Sequence, residues 1–109
     1  VDALATVTLC QSCALGRQGF ANELGAAMAK AGLPVAVATV DCMSGCTRPS
    51  TCAFRSPGKT AYLFGDLSAQ DLEALVTFAR LYLASADGAL ADARVLGDLR
   101  FKAIARIPA

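Results

Sequence analysis

The chain has 109 residues, 55% of them hydrophobic and 17% charged, with a formal net charge of +1. This composition fits one globular domain with a core of its own and excludes a disordered chain. It gives no reason to expect nucleic acid as a partner. No apolar stretch approaches the ~20 residues of a membrane span, so no membrane association is expected.

Residues 3–9, rich in Ala, Thr, Val and Leu, predict a strand ending at Cys10. Residues 10–16 then read as a loop. From Arg17 to Ala31, apolar side chains recur at Phe20, Leu24, Ala27, Met28 and Ala31, which is one helical face. Gly32 is placed to stop that helix, and Pro34 prevents its continuation. Residues 35–40, Val-Ala-Val-Ala-Thr-Val, are apolar at nearly every position, as expected of a strand buried on both faces in a parallel sheet. Strand, helix and strand at this spacing form a right-handed βαβ unit.

Residues 43–50 contain Gly45, Pro49 and two serines and read as a loop. Two short strands over 51–55 and 60–64 flank the hairpin signal Ser56-Pro57-Gly58-Lys59. Tyr62 and Phe64, at alternating positions, are expected in the core. Ser68-Ala69-Gln70-Asp71 has the pattern of a capping box. It opens a helix to about Leu83, with Leu72, Leu75, Val76, Ala79 and Leu83 on one face. In the tail, residues 89–96 suggest a short helix, and Phe101 to Ile107 a peripheral strand before Pro108.

The five cysteines carry the chemistry. Cys10 and Cys13 follow the first strand, and Cys42 and Cys46 follow the second. If those strands run parallel, both pairs leave the sheet at one edge and four thiolates converge. The absence of histidine excludes Rieske-type ligation, mixed Cys/His zinc sites, and Cys–His or Ser–His catalytic pairs. The start, Val1-Asp2-Ala3, has no basic leader. The expected compartment is therefore the reducing cytoplasm, where clustered cysteines bind metal or do redox work. Three readings fit four clustered thiols. One is a [2Fe-2S] cluster on Cys10, Cys13, Cys42 and Cys46. The second is a zinc ion on the same set, in a structural or metal-handling protein. The third is a thiol–disulfide oxidoreductase working through Cys10 and Cys13.

The order of elements resembles the thioredoxin-like fold, an α/β domain. That resemblance implies a central mixed four-stranded sheet with helices on both faces over the single domain 1–109. The added Cys42-x-x-x-Cys46 pair resembles the thioredoxin-like [2Fe-2S] ferredoxins. More closely, Cys10-x-x-Cys13, Asp41-Cys42-x-x-x-Cys46 and Pro57-Gly58-Lys59-x-x-Tyr62-x-Phe64-Gly65-Asp66-Leu67 are similar to an uncharacterised bacterial family of predicted metal-binding proteins. The similarity extends through Tyr82, Asp87-Gly88 and Arg106-Ile107-Pro108. The resemblance implies a one-electron carrier rather than an enzyme, a homodimer, redox proteins as partners, and a cobalamin-related setting. Ferredoxins of this kind separate their first two ligands by more residues than Cys10 and Cys13, so Cys52 stands as an alternative fourth ligand to Cys13.

Beside the functional reading of each remaining residue stands a plainer one. Cys52 fits a small buried strand position. Asp41 suits either a proton donor or a turn cap. Arg17, Arg48, Arg55 and Lys59 lie in segments expected to flank the cysteine site. Arg94, Arg100, Lys102 and Arg106 form a basic run, either solvated surface or a docking patch for an acidic redox partner.

Overall fold

The computed structural model describes residues 4–10, 19–40, 50–90 and 93–108. Its centre is a five-stranded sheet in the order β2-β1-β3-β4-β5. β1 (Ala5–Cys10) pairs parallel to β2 (Val35–Val40), with Ala5 opposite Val35 and Cys10 opposite Val40. β3 (Cys52–Arg55) runs antiparallel to β1 on its other side, and β4 (Ala61–Phe64) antiparallel to β3. β5 (Ala103–Ile107) closes the order against β4, with a register shift at Leu63/Phe64. The expected four-stranded sheet is thus corrected to five, because the tail strand hydrogen-bonds to β4 instead of lying apart.

α1 (Phe20–Lys30) links the two parallel strands and buries Phe20, Leu24 and Met28, spaced one turn apart. It ends in a Schellman motif. The Leu33 amide donates to the Met28 carbonyl and the Gly32 amide to that of Ala29, each at 3.0 Å. Gly32 sits at φ +71°, the left-handed conformation this cap requires, so the residue placed as a stop is the stop.

A 3₁₀ turn over Ala69–Asp71 runs directly into α2 (Leu72–Ala84). The Ser68 amide donates to the Asp71 carboxylate at 2.8 Å, the reciprocal half of the capping box predicted there. The same carboxylate oxygen accepts from Lys102 Nζ at 2.6 Å. Residues 93–102 wind as 3₁₀ turns broken at Gly97. Of the short helix expected over 89–96, residues 93–96 belong to these turns, 89–90 are not helical, and 91–92 lie outside the described residues.

The core lies between the sheet and the helices. Val7, Leu9, Phe54, Tyr62 and Phe64 point to one face, where Phe20, Leu24, Leu75, Phe78 and Leu99 meet them in one cluster. Phe78 is its hub, with ring centroids 4.7 Å from Phe54 and 5.0 Å from both Tyr62 and Phe64. α1 and α2 therefore share a face, and among the described residues the expected helices on both faces are corrected to one. The opposite face, with Thr6, Thr8, Ala53 and Leu63, is only half-buried.

β2 departs from expectation for the same reason. It is an edge strand: Val35 and Val37 are half-buried, and Ala36, Ala38, Thr39 and Val40 are exposed. Its apolar run reflects small residues on an open face rather than burial on both. No described helix is long and apolar enough to cross a membrane.

Candidate metal centre

The parallel register fixes which cysteine loops share an edge. Cys10 ends β1 opposite Val40, the last residue of β2. The chain leaves both strands in the same direction, so the segment after Cys10 and the segment after Val40 start side by side. Cys42 follows Val40 by two residues in sequence, and Cys13 follows Cys10 by three. Cys13, Cys42 and Cys46 lie outside the described residues, as do Asp41, Arg17 and Arg48. Cys10 is described and buried, at 2% exposure.

The fifth cysteine comes to this edge from the other side of β1, but on the opposite face. Cys52 opens β3 directly across from Leu9. Directly opposed residues share a face of the sheet, and successive residues alternate. Cys52 therefore joins Leu9 and Phe54 in the core cluster, fully buried. Burial pushes its thiol far above the ordinary value, because a thiolate there would be stripped of water. A thiol so held is inert toward nucleophilic and redox chemistry.

One step past the ladder, the Cys10 amide donates to the Thr51 carbonyl at 3.2 Å. Thr51 is 1% exposed, and its Oγ1 is the one buried side-chain polar atom among the described residues without a hydrogen-bond partner. A buried hydroxyl with no acceptor costs free energy, typically ~1–3 kcal/mol. It stands beside the strand end where thiolate sulfurs are expected to gather, and sulfur there is an acceptor it lacks. The described groups at this edge, the Cys10 thiol and the Thr51 hydroxyl, are compatible with a sulfur-rich group. Thr51 is not among the residues singled out by the cysteine spacing. The available signal is a hydroxyl residue at the start of the predicted strand, immediately before Cys52.

Of the expected basic flank, the two described residues, Arg55 and Lys59, stand elsewhere. Arg55 pairs with Thr6, near the start of β1, so it stands at the end of the sheet away from Cys10. Lys59 follows in the same hairpin, and its Nζ donates to the carbonyls of Tyr82 and Leu83 at 2.8 and 3.3 Å. It caps the last turn of α2, a role that the exposed carbonyls and partial negative charge of a helix end favour. Lys102 is likewise engaged, with Asp71. Among the described residues no three Cys, Asp or Glu side chains converge as metal ligands. The described part of this edge contributes Cys10 and Thr51.

Residues 7–109 match a family described as "Protein of unknown function (DUF1636)". The chain belongs to that family. The DUF1636 match takes in β1 from Val7 onward and all five cysteines, so both pairs lie within the matched unit. No curated protein matches the chain, and no solved structure does. Within the DUF1636 unit, the described edge offers the Cys10 thiol and the buried Thr51 hydroxyl, on a strand paired on both sides.

Proposed function

We propose that this DUF1636 protein is a one-electron carrier holding a [2Fe-2S] cluster on Cys10, Cys13, Cys42 and Cys46. The observation that carries the reading is the register of Cys10 opposite Val40 in parallel strands. With it, the two cysteine-bearing segments start from adjoining strand ends, and two segments with two thiolates each are a donor set that such a cluster takes. The strand order β2-β1-β3-β4, with β1 and β2 parallel and β3 antiparallel, supports a thioredoxin-like domain as the scaffold. The match to DUF1636 is compatible with the resemblance to predicted metal-binding proteins.

The cluster, when bound, supplies reversible one-electron chemistry. The chain's own residues do the rest. β1 is hydrogen-bonded on both sides, so Cys10 leaves from a strand that has little freedom to move. The Thr51 hydroxyl is a donor for a nearby sulfur, and such donors tune potential from outside the ligand set. Cys52, desolvated on the core face, stays out of the ligand set.

Anaerobically purified protein is expected to be red-brown, with about two irons and two sulfides per chain. Colourless protein carrying stoichiometric zinc and no iron overturns the reading. The same reading expects a homodimer that exchanges electrons with protein partners, which sedimentation of the loaded protein checks.

A further inference from the structure

Away from the cysteine edge, a cavity of about 160 Å³ opens between β4, β5, α2 and the 3₁₀ turns that precede β5. Its floor is apolar and largely aromatic: Tyr62, Phe64, Phe78 and Leu96, each 6% exposed or less. Leu90, Ala103 and two exposed arginines, Arg100 and Arg106, complete the lining. We propose that this cavity binds a small organic carboxylate with a ring-sized apolar body, the ring on the aromatic floor and the carboxylate between the two guanidinium groups.

Three observations carry the proposal. The first is size. A cavity of ~150 Å³ lined by apolar side chains accepts one benzene ring, and this one has that volume. The second is charge. Neither arginine has an ion pair with a described carboxylate. Asp87 lies near enough to feel the charge of Arg106, but its Oδ1 already accepts from the Ser85 hydroxyl at 3.1 Å and the Ala89 amide at 2.9 Å. Lys102, the neighbouring cation, is taken by Asp71. Of the described basic residues in this segment, Arg100 and Arg106 thus remain for an external anion.

The third is preorganisation. The Arg106 guanidinium lies over the Tyr62 ring at 5.7 Å, and that of Arg100 over Phe101 at 4.6 Å. Stacking occupies the face of a guanidinium and leaves its in-plane N–H groups available. Those groups form the fork that matches a carboxylate. The Tyr62 ring is held in turn by its hydroxyl, which donates to the Gly88 carbonyl at 2.7 Å. Few convergent polar groups over an apolar floor are the pattern of a small-molecule site.

Titration calorimetry on the full chain as purified tests this with three probes: benzoate, its neutral counterpart benzyl alcohol, and inorganic phosphate. Benzoate is expected to bind saturably, one per chain. Benzyl alcohol is expected to bind roughly tenfold more weakly or worse, since it lacks charge-assisted hydrogen bonds. Phosphate is expected to give no saturable heat. Arg100→Gln and Arg106→Gln, at exposed positions, should each weaken benzoate by about tenfold. Ala103→Leu, which projects into the cavity from β5, should abolish benzoate binding and leave Arg100 and Arg106 in place. The proposal fails if benzoate gives no saturable heat, or if benzyl alcohol or phosphate matches it. It fails equally if both arginine variants bind benzoate as the parent chain does.

Discussion

Leu9 and Cys52 stand directly opposite one another across the antiparallel β1–β3 ladder, and so share the core face. Cys10, one residue beyond Leu9, takes the other face by the alternation of the pleat. The fourth-ligand question turns on this pair. To reach a cluster at the strand end, Cys52 would have to leave a fully buried core position. Cys13 follows Cys10 by three residues in sequence. Cys52→Ser is therefore expected to keep the iron content and visible spectrum while losing roughly 1–3 kcal/mol of stability, since it places a hydroxyl in an apolar core. Cys13→Ser should lose most of the iron. Bleaching by Cys52→Ser, with a normal spectrum in Cys13→Ser, would put Cys52 in the ligand set.

Thr51 gives a second comparison at the same edge. In cluster-free protein its buried hydroxyl has no partner among the described residues, so the near-isosteric Thr51→Val is expected to be neutral or stabilising. In loaded protein the same change removes a donor beside the sulfurs, and the reduction potential should fall. Thermal melts of the apo forms and voltammetry of the loaded forms read the two effects separately. An unchanged potential would leave Thr51 with no part in tuning.

Asp71 and Lys102 join the start of α2 to the segment that leads into β5. The Asp71 carboxylate also accepts the Ser68 amide, and the residue is 8% exposed, so both contacts are made with little competition from water. Asp71→Asn and Lys102→Met are each expected to cost about 1–2 kcal/mol. The double variant should cost less than their sum, because either single change leaves a charged partner behind. Urea titrations of the four proteins measure the coupling, and strict additivity would show that the pair is incidental.

Tyr82 links stability to alkaline pH. Its ring is buried and its hydroxyl donates to the Thr60 carbonyl at 2.6 Å. Desolvation, with the neighbouring Tyr62 adding to it, raises its pKa above the ordinary 10.0. The unfolded chain therefore releases this proton first. The stabilisation is complete below about pH 10 and is lost as pH climbs from there through the folded-state value. Tyr82→Phe should cost about 1 kcal/mol at neutral pH through the lost hydrogen bond. It should also flatten the alkaline fall in denaturation midpoint. A fall as steep in Tyr82→Phe as in the parent would assign it to other groups.

Much of this architecture is legible in the sequence where local chemistry decides it. Gly32 after a run of periodic apolar positions reads as a helix stop because only the left-handed cap suits that place. Ser68 and Asp71 announce a helix start three residues apart. What pattern does not carry is the identity of the partner. The run Val35–Val40 reads the same whether a strand lies inside a sheet or at its rim, since Ala is at home in both. Ile104 and Ile107 give no sign that β5 will pair with β4, because that pairing depends on a bulge at Leu63/Phe64. The side of the sheet on which α2 packs is set by Phe54, Phe64 and Phe78 meeting in three dimensions. At the candidate site, spacing identifies four cysteines but cannot weigh Cys52 against Cys13. Opposition to Leu9 sets Cys52 in the core, while Cys13 lies outside the described residues. Lys59 and Lys102 read as surface charge until their partners, Tyr82 and Asp71, appear.

The position of β2 at the rim has a further consequence, for the chain's behaviour in crowded solution. A free strand edge is a template for another chain, and proteins commonly guard such edges with lysine, proline or a bulge inside the strand. β5 has Arg106 and a bulge in its pairing with β4. β2 is Val-Ala-Val-Ala-Thr-Val, with Pro34 just before it and no charge within it. Its outer hydrogen-bonding groups are thus the least protected row on the described sheet, and self-association by strand addition would begin there. Ala38, exposed and opposite Thr8 on the open face, is where a single lysine would guard that row away from the core.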